Sequence, residues 1–147
     1  MSSPAELSAS ELPMDSTLTG PVLIIGSGLL GASIGLGLRA AGCEDVYVQD
    51  ISPTAEAVAQ DIGAGTSFST LSEEERTAFA PQLVVVAAPP DSAGAVCARA
   101  LNTYAPRPEA GYPGAVVTDV ASVKVQPLAD VLASGADASR YVGSHPM

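Results

Sequence analysis

The sequence has few cysteines and few basic side chains, and both scarcities exclude classes of protein. Cys43 and Cys97 are too few for a disulfide framework and lack the spacing of a zinc site, so we expect both to pack within the fold. Six Lys and Arg residues against sixteen Asp and Glu residues give a net charge of −10, without the basic patch that binds nucleic acid. Glu73–Glu75 follow Ser72 at the spacing of a capping box, which favours a solvated helix start over a metal site. We therefore expect no nucleic-acid partner and no metal.

The beginning of the chain also lacks the basic region and apolar core of a signal peptide, which predicts a reducing, cytoplasmic location. A hydrophobic content of 47% with 15% charged residues, over 147 residues, predicts one globular domain. Residues 1–20 differ, because they are rich in Ser, Pro, Glu and Thr without a period. We predict a flexible tail there and a folded domain over residues 21–147.

A glycine-rich turn follows the first apolar run. Residues 22–25 are apolar and mostly β-branched, which indicates a buried parallel strand, and G-x-G-x-x-G then leads into a helix. In this motif Gly26 permits the tight turn, Gly28 lets a pyrophosphate approach and Gly31 lets the helix pack on the strand. Backbone N–H groups and the helix dipole would bind the phosphates without a side-chain cation. The candidate cofactor-binding residues here are Gly26, Ser27, Gly28, Leu29, Leu30 and Gly31.

Asp50 directly follows the second run, residues 46–49. It lies about 20 residues after the glycines, the separation expected in a dinucleotide-binding unit. A carboxylate at this position accepts hydrogen bonds from the adenosine ribose hydroxyls and repels a 2′-phosphate, so we predict NAD rather than NADP. The alternative is an ordinary solvated carboxylate at the end of a strand.

A membrane span is a second interpretation of the first apolar run. Residues 21–38 are uncharged and long enough to cross a bilayer, and residues 31–35 form a GxxxG pattern. The run nevertheless contains five glycines and has no basic anchors beside it, and further strand and helix units follow. We therefore expect no membrane segment.

Apolar runs and helical segments alternate along the rest of the chain, which predicts an α/β fold with a doubly wound parallel sheet in the strand order 3-2-1-4-5-6, the Rossmann arrangement. The predicted strands are residues 22–25, 46–49, 66–68, 83–87, 115–118 and 141–143. The predicted helices are residues 29–41, 53–62, 73–79, 90–104 and 122–132.

Four segments together resemble the prephenate dehydrogenase family, in that family's order and spacing. They are G-S-G-L-L-G at residues 26–31, A-A-P-P-D at 87–91, T-D-V-A-S-V-K at 118–124 and G-S-H-P-M at 143–147. The resemblance, which arogenate dehydrogenases share, implies NAD-dependent oxidative decarboxylation of prephenate to 4-hydroxyphenylpyruvate, in the biosynthesis of tyrosine. It also implies that the cofactor contacts Ala88, Pro89, Pro90 and Ala121, the last standing where the family often has glycine.

The resemblance assigns the catalytic roles to His145 and Ser122. In the family, the histidine of H-P-M hydrogen-bonds the ring hydroxyl of the substrate and the serine of S-V-K supports it. An imidazole with a pKa of ~6.5 can accept the hydroxyl proton at neutral pH while hydride leaves the same carbon. Each substrate-binding candidate has an alternative: Ser122 as a helix N-cap, Lys124 as a solvated cation and His145 as a surface residue.

The family continues after H-P-M into a helical domain that forms the homodimer and supplies an arginine for the substrate carboxylate. Because this chain ends at Met147, we expect the cofactor-binding part of a longer enzyme, with little or no catalysis alone. Two further hypotheses remain open at this point: another β-hydroxyacid-type dehydrogenase, and a non-catalytic NAD-binding regulatory module.

Overall fold

The computed structural model describes residues 18–121 and 125–144, so most of the predicted tail lies outside the described residues. Six parallel strands form one sheet in the order β3-β2-β1-β4-β5-β6. This order confirms the predicted doubly wound α/β fold. The strands are β1 (Val22–Ile25), β2 (Val46–Gln49), β3 (Thr66–Ser67), β4 (Leu83–Val86), β5 (Val116–Asp119) and β6 (Tyr141–Gly143).

Five α-helices in the described residues connect the strands, and two of them begin at the capping signals that the sequence contains. The Ser52 side chain accepts the N–H of Ala55 at 3.2 Å. Ser72 and Glu75 form the complete capping box, with bonds of 3.1 and 2.9 Å. The helices are α1 (Leu29–Ala40), α2 (Pro53–Asp61), α3 (Glu73–Ala78), α4 (Pro90–Thr103) and α5 (Val125–Ala133). Residues 122–124, predicted to begin the last helix, lie outside the described residues.

The core has two parts, one on each face of the sheet. Leu23 belongs to one hydrophobic cluster and its neighbours Val22 and Ile24 to the other, and all three are fully buried. Successive residues of a strand point to opposite faces, so a strand covered on both faces is apolar throughout. Cys97 is buried in the first cluster and Cys43 packs half-buried against the second, as expected for structural cysteines.

The strand ends differ from the prediction by about one residue. β3 stops at Ser67 because Phe68 begins a 3₁₀ turn and places its ring edge-to-face with Phe79, at 5.3 Å between centroids. β4 ends at Val86, one residue early. β5 starts and ends one residue later than predicted, which puts Asp119 inside the strand.

Residues 21–38, the run considered as a membrane span, form β1, the glycine turn and most of α1. No helix in the described part of the chain is long and apolar enough to cross a membrane.

Candidate functional site

The glycine turn lies between the ends of β2 and β4. The N–H of Gly26 donates to the Gln49 carbonyl at 2.8 Å, and the N–H of Ala87 donates to the Ile25 carbonyl at 2.7 Å. Gly26 has a φ of +99°, and a Cβ on it would lie 2.6 Å from the Ala87 carbonyl oxygen. The conformation and the space therefore both require glycine.

Gly31 and Gly28 differ in their surroundings. A Cβ on Gly31 would lie 1.8 Å from the Gly26 carbonyl oxygen, so α1 packs directly against the turn. A Cβ on Gly28 would meet no heavy atom within 4 Å. Gly28 is the N-cap of α1, no side chain caps this end, and the first turn carries no acidic residue. This end of α1 can therefore bind an anion.

Asp50 joins the glycine turn to the end of β2. Its Oδ2 accepts the Ser27 N–H at 2.7 Å and the Ser27 hydroxyl at 2.9 Å, and its Oδ1 accepts the Ser52 N–H at 2.8 Å. Burial raises the pKa of this carboxyl, but the hydrogen bonds from Ser27 and Ser52 outweigh it and hold the pKa below the ordinary value. Asp50 is thus ionised at neutral pH and held at three points.

Glu56 is a buried acidic residue beside Asp50 that the sequence analysis did not single out. Only 2% of it is exposed. It accepts the Asp50 N–H at 3.0 Å, the Ser69 N–H at 2.8 Å and the hydroxyl of Ser67 in a short hydrogen bond. Burial raises the pKa of Glu56, but the bonds from Ser67, Ser69 and Asp50 lower it below the ordinary value.

The two depressed pKa values predict acid lability. Both carboxyls ionise below their ordinary values of 3.8 and 4.5, so their stabilisation is complete above about pH 4.5 and is lost as the pH falls towards the folded-state values. We expect Tm, measured by circular dichroism from pH 7 to pH 3, to fall more steeply below pH ~4.5 in the wild-type chain than in Glu56→Gln. Glu74→Gln, which removes an exposed carboxylate on α3, should keep the wild-type slope. Equal slopes in all three chains would contradict this assignment.

The loop after β4 lies against the glycine turn and leads into α4. Ala88 is half-buried, Pro89 is the N-cap and Pro90 the first residue of the helix, and both prolines are exposed. The carboxyl ends of β1 and β4 thus meet where the order of the sheet reverses, the usual ligand-binding crevice of this fold.

Asp119 connects the ends of β5 and β6 and is fully buried. It accepts the Ala121 N–H at 3.0 Å and, in a short hydrogen bond, the hydroxyl of Tyr141. Ser144 donates its N–H at 3.1 Å and its hydroxyl at 2.7 Å to the Asp119 carbonyl. Burial, together with the bond to Asp119, raises the pKa of Tyr141.

This connection fixes one residue in each of the last two sequence motifs. Ala121, at 7% exposed, and Ser144 both adjoin Asp119. The three residues predicted to contact the substrate, Ser122, Lys124 and His145, lie outside the described residues, and their roles remain predictions. Within the described residues, no cluster of His, Cys, Asp and Glu is arranged to hold a metal ion.

The sequence matches a family described as "Prephenate dehydrogenase, nucleotide-binding domain" over residues 34–147. The chain belongs to this family. The match includes Asp50 and the loops after β4, β5 and β6, so a nucleotide-binding domain accounts for the crevice at these strand ends.

Several relatives of this nucleotide-binding domain are much longer proteins. A probable prephenate dehydrogenase of Streptomyces niveus, NovF, is 38% identical over 125 residues, which are 85% of this chain and 30% of NovF. Prephenate dehydrogenase of A. aeolicus, whose structure is a complex with hydroxyphenyl propionate and NAD+, is 28% identical to this chain. The two structures match with a TM-score of 0.68 over 90% of this chain and 43% of that one. A putative prephenate dehydrogenase of Corynebacterium glutamicum is 31% identical with a TM-score of 0.64, covering 88% and 38%. The chain therefore spans less than half the length of each.

Proposed function

We propose that this chain is the NAD-binding part of a dehydrogenase that converts prephenate to 4-hydroxyphenylpyruvate by oxidative decarboxylation. The observation that carries the assignment of NAD is the bonding of Asp50 to Ser27, which places an ionised carboxylate beside the glycine turn in the crevice. Membership of the family and the NAD+ in the related A. aeolicus structure support the same conclusion.

The described residues fit a dinucleotide. The pyrophosphate would lie at the uncapped start of α1, where Gly28 leaves its approach open. About four hydrogen bonds saturate a carboxylate, and Asp50 accepts three from Ser27 and Ser52, which leaves room on Oδ1 for a ribose hydroxyl. A 2′-phosphate would meet the same negative charge and be repelled.

The nicotinamide would lie near Ala121, between the loops that follow β4 and β5. When bound, NAD would supply the acceptor for the hydride that leaves the ring carbon of the substrate. We assign His145 as the base that takes the proton of the ring hydroxyl, Ser122 as the residue that orients His145, and Lys124 as a contact for a substrate carboxylate. Loss of carbon dioxide and aromatisation of the ring supply the driving force.

Calorimetric titration of the chain with NAD and then NADP tests the proposal, with Asp50→Ala measured in parallel. We expect the wild-type chain to bind NAD more tightly than NADP and Asp50→Ala to lose most of that preference. Removing an exposed carboxylate in Asp61→Ala, at the end of α2, should leave the preference unchanged. The proposal fails if the wild-type chain binds neither nucleotide or binds both equally.

We further propose that the complete enzyme is a cytoplasmic homodimer and that the present chain does not catalyse the reaction alone. The chain spans 30 to 43% of the relatives described above, and the resemblance assigns the substrate arginine to a later domain. Absorbance at 340 nm should therefore show no steady NADH production from prephenate or arogenate. Sustained turnover of either substrate by this chain would contradict the expectation and identify the substrate.

A further inference from the structure

We propose that Glu56 is a positioning residue that strengthens the preference for NAD over NADP by holding Asp50 in place. This inference rests on the proposed function, because it concerns the same ribose site. Glu56 would not contact the cofactor itself, because only 2% of it is exposed, and it is connected to the ribose site through its bond to the Asp50 N–H. It would act only through Asp50.

The 2′-phosphate of NADP can be admitted beside Asp50 only if that carboxylate moves. A site that selects NAD can admit NADP when its carboxylate turns away from the added charge. Here Asp50 is held through both side-chain oxygens by Ser27 and Ser52, and through its own backbone N–H by Glu56. Turning the carboxylate away breaks its bonds to Ser27 and Ser52, and moving the backbone breaks the bond to Glu56. A carboxylate that cannot move excludes NADP by a built-in repulsion.

The contacts of Glu56 require a carboxylate rather than an amide. Its Oε1 accepts from Ser67 and Ser69, and its Oε2 accepts from Asp50. A glutamine in the same position has one oxygen, so it can satisfy either the Ser69 N–H or the Asp50 N–H, while its NH₂ group faces the other donor. Orienting the oxygen towards Ser67 and Ser69 keeps two bonds and sacrifices the one to Asp50. Glu56→Gln is therefore expected to release Asp50 selectively.

Gln60 provides a matched control from the same helix. Its Oε1 accepts the N–H of Ser67 at 2.7 Å, so it anchors the same strand, β3, to α2 without contacting Asp50. Glu56→Gln and Gln60→Ala should both lower Tm, because each loses a hydrogen bond between α2 and its neighbours. Only Glu56→Gln should change cofactor preference.

The experiment measures Kd for NAD and for NADP by calorimetry in the wild-type chain, Glu56→Gln and Gln60→Ala. We expect the ratio of the NADP to the NAD constant to fall about tenfold in Glu56→Gln, the usual effect of one hydrogen bond to a charged group, and less than about twofold in Gln60→Ala. The Asp50 amide should also exchange its hydrogen at least about tenfold faster in Glu56→Gln than in Gln60→Ala. If Glu56→Gln does not fold, Glu56→Asp replaces it, because a carboxylate one methylene shorter that keeps the two donors Ser67 and Ser69 is not expected to reach the Asp50 N–H as well, and the same fall is expected.

The outcomes separate this inference from the proposed function. A wild-type chain that prefers NAD, with the same preference in the Glu56 variant, overturns the role of Glu56 alone. An equal fall in the Gln60 variant also overturns it, because the effect would then follow general loosening of α2. A wild-type chain without a preference for NAD overturns both.

Discussion

Replacing Gly31 by alanine is expected to abolish measurable binding of NAD and to lower Tm. The new Cβ would lie 1.8 Å from the Gly26 carbonyl oxygen, more than 1 Å inside the 3.0 Å limit of real Cβ contacts. Because that oxygen belongs to the turn itself, α1 must move away from it. A shift of 1 Å would break the hydrogen bonds that we propose between the first N–H groups of α1 and a pyrophosphate. Losing two such bonds weakens binding about 100-fold or more.

Gly37→Ala is the matched control for this variant. Gly37 lies in the same helix, is exposed, and has no heavy atom within 4 Å of an added Cβ. Alanine at an open helical position stabilises by about 0.5–1 kcal/mol relative to glycine, so Tm should rise slightly and NAD binding should be unchanged. Calorimetric titration and thermal unfolding of both variants check the prediction. Wild-type affinity in Gly31→Ala would contradict the place assigned to the pyrophosphate.

The fold was predictable because its determinants are local. Apolar runs such as residues 83–86 indicate strands buried on both faces. Ser52 and Pro53 indicate the start of a helix, because the cap needs only residues that are close in the sequence. Right-handed connections then leave few possible strand orders. The strand ends were less predictable, since tertiary packing moved them. Phe68 lies outside β3 and packs against Phe79, and no local sequence pattern indicates this contact.

Contacts between distant segments were not predictable from the sequence. In the segment T-A-E-A-V-A-Q, Glu56 has the pattern of a solvent-exposed helical residue. It is buried because Ser67, in β3, and Ser69, in the turn that follows, donate hydrogen bonds to it. Gly35 is a similar case. Its missing side chain lets α1 approach the Ala64 carbonyl, which would lie 2.2 Å from a Cβ. In both cases the partner is more than ten residues away, beyond the reach of helical or strand periodicity.

The two halves of the candidate site rest on different kinds of information. Gly26, Gly31 and Asp50 follow from the chemistry of a phosphate and a ribose, and the structure brings all three to one end of the sheet. His145, Ser122 and Lys124 were assigned from the resemblance, because a single histidine or serine has no intrinsic pattern. The described residues contribute the buried Asp119, on which the loops leading to these positions converge.

Asp119→Ala is expected to lower the free energy of unfolding by about 3 kcal/mol, a loss typical of a disrupted buried polar network. Asp119 is fully buried in β5, and the substitution removes the acceptor for both the Tyr141 hydroxyl and the Ala121 N–H. For a domain of this size, the corresponding fall in Tm is about 10 °C. Asp119→Asn should lose less, because its amide oxygen can accept from Ala121 while its NH₂ donates to the Tyr141 oxygen.

Asp137→Ala separates the effect of Asp119 from that of any carboxylate near β6. Asp137 also accepts two hydrogen bonds, both from Ser139, and lies 3.6 Å from the Arg140 guanidinium, but its side chain is 54% exposed, so water can replace these contacts. We therefore expect a much smaller fall in Tm for Asp137→Ala than for Asp119→Ala. Equal falls would show that burial of Asp119 contributes nothing beyond its hydrogen bonds. We expect the fall in Tm to be largest for Asp119→Ala, smaller for Asp119→Asn and smallest for Asp137→Ala. This order would establish that one buried carboxylate holds together the ends of β5 and β6, which the predicted catalytic residues follow in the sequence.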